Sequence, residues 1–168
     1  TPGQGFCVAR KEGLPPVGVL NLQGQTFMKP IDNPFFAAAE AVDELRKETA
    51  IIFVDMHAET TSEKIAMGRF LDARVSAVVG THTHVQTADE QVFPGGTAFL
   101  CDAGCTGPQE SILGREIEPI LRRFTTYRPQ RFAVASKRVM LNGALIDIDD
   151  ETGKARSIER VSELLPAE

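Results

Sequence analysis

The chain holds three histidines, His57, His82 and His84, and their spacing suits metal chemistry. Neutral imidazole is the commonest protein ligand for a transition metal. Thr81-His82-Thr83-His84 sets two imidazoles two residues apart, and in extended backbone such side chains point the same way. They can reach one ion, or one each of two ions about 3.5–4 Å apart. Asp55 and Glu59 bracket His57 and are candidate carboxylates, as ligands or as acceptors for the outer N–H of a ligating imidazole. Nitrogen donors suit iron, manganese or zinc and disfavour calcium and magnesium.

The elements that would position these residues can be read from apolar periodicity. Residues 50–54 form a short apolar run that predicts a strand buried on both faces. Thr61 or Ser62 can cap a helix over 63–73, and residues 74–79 predict a second strand. Residues 50–79 thus read as a β-α-β unit, which implies parallel strands and a right-handed crossover. His57 falls just beyond the first strand, and His82 and His84 just beyond the second. In a parallel unit both carboxyl ends face one sheet edge, where open α/β sheets place ligand sites. All three imidazoles are therefore expected at one crevice.

Around this unit the pattern predicts a strand over 17–22 and a helix opening at Asp32 or Asn33 with Pro34 in its first turn. That helix runs through FFAAAEAVDELRKETA, with Phe36, Ala39, Val42 and Leu45 expected to face the core. Downstream, 91–93 and 97–101 flank Pro94-Gly95-Gly96 as a hairpin, a helix covers 116–124, and strands follow over 134–149 and 155–161. Thr1-Pro2-Gly3-Gln4-Gly5 reads as loop. The order is α/β first and mostly β afterwards, within one domain over 1–168.

Composition narrows the function classes. A net charge of −5 with interspersed signs leaves no strong nucleic-acid patch and no basic face for a membrane. No apolar run is long enough to span a bilayer. A small anionic substrate would then need local positive charge, which a bound metal supplies. Cys101 and Cys105 lack a second pair to complete a zinc-ribbon pattern, so the three cysteines read as reduced thiols of a cytoplasmic protein. Gly104-Cys-Thr-Gly-Pro108 is either a border of the site, a subunit contact or an ordinary turn. Arg115, Arg122, Arg123, Arg128 and Arg131 read as a solvated face.

The residues also resemble a family. Gly80-Thr-His-Thr-His84 is similar to the last signature of calcineurin-like metallophosphoesterases. Val54-Asp-Met-His-Ala-Glu-Thr-Thr-Ser-Glu-Lys64, with the histidine pair 25 and 27 residues after His57, Asn21-Leu22 upstream and Thr106-Gly107-Pro108 downstream, resembles the bacterial YmdB-like branch. The resemblance covers essentially the whole chain. It implies an αββα sandwich of which this chain is an incomplete portion with parallel and antiparallel strands. It also implies hydrolysis of phosphoesters, 2′,3′-cyclic nucleotides such as 2′,3′-cAMP among them, at a dinuclear metal centre. Two divalent ions are expected, iron or manganese first and zinc next. His57 and His82 resemble ligands of one ion and His84 a ligand of the other.

The family's aspartate, bridging carboxylate, asparagine ligand and catalytic histidine have no counterpart in this chain, in which no Asn-His pair occurs. The resemblance therefore implies that the general-acid histidine lies upstream of Thr1, and that this chain itself holds no catalytic residue. The sequence reads as the carboxyl-terminal portion of an enzyme, inactive alone. A single-zinc, three-histidine hydrolase and a non-catalytic interaction domain are the alternatives, and a homo-oligomer is left open.

Overall fold

A computed structural model of the chain describes residues 3–166. Its elements, in order, are β1 (Phe6–Ala9), β2 (Val17–Gln23), α1 (Pro34–Leu45), β3 (Ile51–His57), α2 (Thr61–Phe70), β4 (Ala77–Thr81), β5 (Gln91–Val92), β6 (Ala98–Leu100), β7 (Gly107–Pro108), α3 (Ile117–Thr126), β8 (Val139–Ile148) and β9 (Ala155–Leu164). A six-stranded sheet runs β1-β2-β3-β4-β6-β5, and a three-stranded sheet runs β7-β8-β9. Strands β2, β3, β4 and β6 are parallel, while β1 and β5 add antiparallel edges. The fold is mixed α/β, as expected. Of the loop expected at 1–5, Thr1 and Pro2 lie outside the described residues.

Alternation sorts the large sheet's side chains between two cores. On one face Leu20, Leu22, Ile52, Val54, Met56 and Val78 pack under α1 and α2, which contribute Ala38, Ala41, Val42, Leu45, Met67 and Leu71. On the other face Ala77, Val79, Ala98 and Leu100 meet Ala155, Ile158, Ala144 and Ile146 of the second sheet. The layers are thus helices, sheet, sheet. The remaining described helix, α3, buries none of its residues. No helix among the described residues is long and apolar enough to cross a membrane.

Helix α1 starts where the sequence indicates: Asn33 caps it, accepting from the Phe35 N–H at 2.9 Å, with Pro34 in the first turn. Its buried face is Pro34, Ala38, Ala41, Val42 and Leu45, so the expected core position Phe36 is wrong: it is 71% exposed. Successive i+3 steps drift around a 3.6-residue helix, and Phe36 lies about 200° from Ala38. The helix also stops at Leu45, short of the predicted end. The Thr49 hydroxyl there bonds the Pro16 carbonyl at 2.6 Å and accepts from the Ile51 N–H at 3.0 Å, turning the chain into β3.

Three boundaries in the β-α-β unit differ from expectation, and the two strand ends carry site residues. β3 continues to His57, because paired neighbours on both sides hold even its polar end extended. α2 opens at Thr61, with Thr60 as a cap that makes no side-chain bond. β4 begins at Ala77 and runs through Thr81, three residues later than predicted, since 74–76 form the turn out of α2. The predicted hairpin at 91–101 is present as β5 and β6. The Gly107–Pro108 stretch is the edge strand β7 of the second sheet rather than a turn. β1, which the periodicity does not predict, pairs with β2.

The loop after β4 is moored to both sheets. The Gln86 side-chain amide donates to the Gly143 and Val161 carbonyls, each at 3.0 Å, on the paired strands β8 and β9. The β8–β9 turn is held by Asp149, which accepts from the Thr152 N–H at 2.8 Å and its hydroxyl at 2.9 Å.

Candidate metal centre

Parallel register aligns the carboxyl ends of three strands: Gln23 stands beside His57, and His57 beside Thr81. One pleat earlier the row is Asn21, Asp55 and Val79. Asp55 and His57 share a face of the sheet with Thr81, and their side chains connect. Asn21 Nδ2 donates to Asp55 Oδ2 at 2.7 Å, and the Thr81 hydroxyl donates to Asp55 Oδ1 at 2.8 Å. His57 Nδ1 lies 2.9 Å from the same hydroxyl. A hydroxyl has one proton, and here the carboxylate takes it, so Thr81 can only accept from His57. The network therefore places a proton of His57 on Nδ1, and in the neutral ring Nε2 is then the lone pair.

That lone pair faces His82. His82 Nδ1 lies 3.1 Å from His57 Nε2, with the rings nearly perpendicular at 82°. The outer nitrogen of His82, Nε2, lies 2.6 Å from Glu59 Oε2, in the loop after β3. His82 is 31% exposed on its side chain, so the cluster opens to solvent on one side. Asp55 and Glu59 thus each serve an imidazole as outer partners: Asp55 reaches His57 through Thr81, and Glu59 holds His82.

The donor set can be tested against a metal. Two nitrogens bound to one ion at about 2.0–2.1 Å stand about 2.9–3.4 Å apart when they occupy neighbouring coordination positions. The 3.1 Å separation of His57 Nε2 and His82 Nδ1 falls within that range. Each ring also turns its other nitrogen to a carboxylate, directly or through a hydroxyl, the arrangement that fixes tautomers at metal sites. A proton shared between the two rings, with His82 also donating to Glu59, meets the same geometry, so the donor set accommodates a cation without requiring one.

The backbone here is unusual. His82 has φ 120° and His84 φ 66°, both in the region that disfavours side chains. Such conformations persist where surrounding structure over-determines them, and they concentrate at functional sites. Gly80 is required by close approach: a Cβ there would overlap the Cys101 carbonyl oxygen.

Of the three expected ligands, the structure brings two together. His84 is exposed, and among the described residues its ring makes no hydrogen bond to His57 or His82. No group of three His, Cys, Asp or Glu side chains among the described residues already forms a cluster that could hold a metal. The site is a nitrogen pair with its outer partners, and His84 stands two residues along the same loop.

Beside the pair lies an open depression of about 720 Å³, lined by Gln23, Phe27, Met28, Lys29, Pro30 and His82. Phe27 is 90% exposed at φ 60°. Its loop is braced by Glu63, whose carboxylate accepts from the Gln25 N–H at 2.8 Å and the Thr26 N–H at 3.2 Å. Sequence reasoning does not single out Phe27, Lys29 or Thr81. For Thr81 a signal exists: parallel register plus alternation from His57 and Asp55 leads to it.

The family model for YmdB-like proteins matches residues 1–161. The chain is 52% identical over 161 residues to a 2′,3′-cyclic-nucleotide 2′-phosphodiesterase of Bacillus subtilis, covering 96% of this chain and 61% of that protein. Among solved structures, one of a hypothetical protein from Thermus thermophilus superposes with a TM-score of 0.85 at 39% identity, covering 99% of this chain and 64% of that one. One of a novel phosphatase from Mycoplasma pneumoniae gives 0.84 at 33% identity, covering 96% and 58%. The chain spans about three-fifths of the length of the two curated relatives compared, 61% and 59%.

Proposed function

The chain belongs to the YmdB-like protein family, and we propose that it supplies the histidine side of a two-metal phosphodiesterase centre acting on 2′,3′-cyclic nucleotides. The observation that carries this reading is the 3.1 Å pairing of a bare His57 Nε2 with His82 Nδ1. These two nitrogens would hold one ion, and His84 would turn toward a second. Iron or manganese suits the nitrogen donors best, with zinc next. Ions bound there would neutralise phosphate charge and lower the pKa of a bound water.

The chain's own residues then have distinct tasks. Asp55 and Thr81 keep the His57 proton on Nδ1, and Glu59 takes the outer N–H of His82. Neither ring is free to protonate the leaving ribose oxygen, so that proton comes from outside this pair. Lys29 sets a positive charge in the depression for the phosphate. Phe27 offers an exposed ring on which a nucleobase can stack, which favours nucleotides over simple phosphoesters. Three free thiols, Cys7 exposed among them, suit a reducing compartment, and we place the protein in the cytoplasm.

The test is hydrolysis of 2′,3′-cyclic AMP by the full-length protein with manganese, together with metal content per chain. Two ions and turnover are expected. One ion with turnover would favour the single-metal hydrolase, and no bound metal would sink the reading.

A further inference from the structure

Lys64 and Asp102 form an ion pair in the interior. Lys64, on α2, is 0% exposed, and Asp102, just past β6, is 1% exposed, with Nζ and Oδ2 2.9 Å apart. A buried ion pair is a poor stabiliser, because desolvation offsets most of the attraction. Its hydrogen bonds show what else it does. Lys64 Nζ also donates to the Thr81 carbonyl at 3.2 Å. Asp102 Oδ2 accepts from the Thr83 N–H at 2.9 Å, and Oδ1 from the Gly104 N–H at 3.0 Å. The pair thus grips the peptide group before His82 and the one after it. Asp102 also exchanges bonds with Thr87 further along the loop, its N–H donating to the Thr87 hydroxyl at 2.9 Å and its carbonyl accepting from the Thr87 N–H at 3.1 Å.

Burial pushes the Asp102 carboxyl up, but the bonds from Lys64, Thr83 and Gly104 outweigh it and hold the group below its ordinary value, so it is anionic at neutral pH. The Lys64 stem runs under Gly80, where a Cβ would strike it. The φ of 120° at His82 lies between the two gripped peptides.

We propose that Lys64 and Asp102 are positioning residues that hold the backbone on both sides of His82, so that Nδ1 points at the metal position shared with His57. The inference rests on the metal-centre reading of the preceding subsection. Neither side chain touches the metal position; they act through peptide groups, on a conformation that an unassisted histidine rarely adopts.

The test uses the full-length protein and manganese alone as the probe. A single change would strand a buried charge, so the informative variant is the double substitution Lys64→Met/Asp102→Asn, which removes both charges at nearly constant volume. Folding is followed by circular dichroism and thermal melting. With the fold intact, manganese should bind roughly 10–100-fold more weakly, as when the outer partners of metal ligands are removed. Activity on 2′,3′-cyclic AMP should fall in kcat at limiting manganese and return at excess manganese, with KM for the nucleotide unchanged. A folded double variant with wild-type manganese affinity overturns the proposal.

If the double variant does not fold, amide exchange in the wild-type protein decides. The Thr83 amide should exchange as slowly as those of Val78 and Val79, and exchange at the rate of an exposed loop overturns the proposal. Wild-type protein that takes up no manganese defeats the metal reading itself, an outcome distinct from unchanged affinity in the variant.

Discussion

The hydroxyl of Thr81 stands between Asp55 and His57, giving its only proton to the carboxylate at 2.8 Å and taking one from the imidazole at 2.9 Å. One hydroxyl thereby decides which nitrogen of His57 is free. Thr81→Val keeps the shape and removes both bonds. In the full-length protein it should weaken manganese binding about 10–100-fold, the usual effect of losing such a partner. Manganese titration followed by calorimetry measures this, and wild-type affinity would show that the hydroxyl does not set the tautomer.

His57→Ala and His82→Ala should each abolish metal retention and phosphodiester turnover together, since each removes half of the nitrogen pair. Arg122→Ala, on the exposed helix α3, should leave both within about two-fold, as surface changes remote from a site do. Metal content after desalting, read beside initial rates, is the measurement. Retention of metal with loss of rate would assign the histidines to proton transfer instead.

Phe27→Ala should raise KM for 2′,3′-cyclic AMP by the worth of one base stack, about 1–3 kcal/mol. The base-free analogue 1,2-cyclic glycerophosphate should be turned over as before. Equal loss on both substrates would mean that Phe27 supports the loop and does not meet the base.

Asp149 is held down at about 2 by the Thr152 N–H and hydroxyl and by Arg156, below its ordinary 3.8. A carboxyl lowered on folding stabilises above its unfolded value and loses that contribution as pH falls through the folded one. The melting temperature of wild type should therefore exceed that of Asp149→Ala at pH 7, and the gap should close between about pH 4 and pH 2, the unfolded and folded values. A gap that persists at the acid end would mean that the turn's stability does not depend on the ionised carboxylate.

Much of this arrangement is legible in the sequence, because covalent order and strand direction determine it. A β-α-β unit brings the ends of β3 and β4 to one edge, so the meeting of His57 and His82 follows from the apolar runs before them. The differences have local causes. Counting in threes puts Phe36 in the core, along a helix that repeats every 3.6 residues. His57 reads as lying beyond its strand because polar residues look like an end, whereas pairing with β2 and β4 keeps Asp55 and His57 in the ladder. Lys64 and Asp102 escape a sequence reading because a charged residue is ordinarily assigned to the surface. Their pairing depends on β6 lying next to β4, which periodicity does not reveal. Alternation predicts that His82 and His84 point together only if the backbone stays extended, and positive φ at both residues breaks that premise.

The Gln86 amide joins the histidine loop to two adjacent strands of the second sheet. Mechanically, the loop is a tie-rod between two plates. A slip of the β8–β9 hairpin against the large sheet would pull on the same stretch that carries His82, while the His57 end stays fixed in β3. Any part of that pull not absorbed by the Lys64–Asp102 clamp would change the gap between the two imidazoles. Distant substitutions at the hairpin interface, such as at Ile158 or Ala144, should register in the ring resonances of His82 before those of His57.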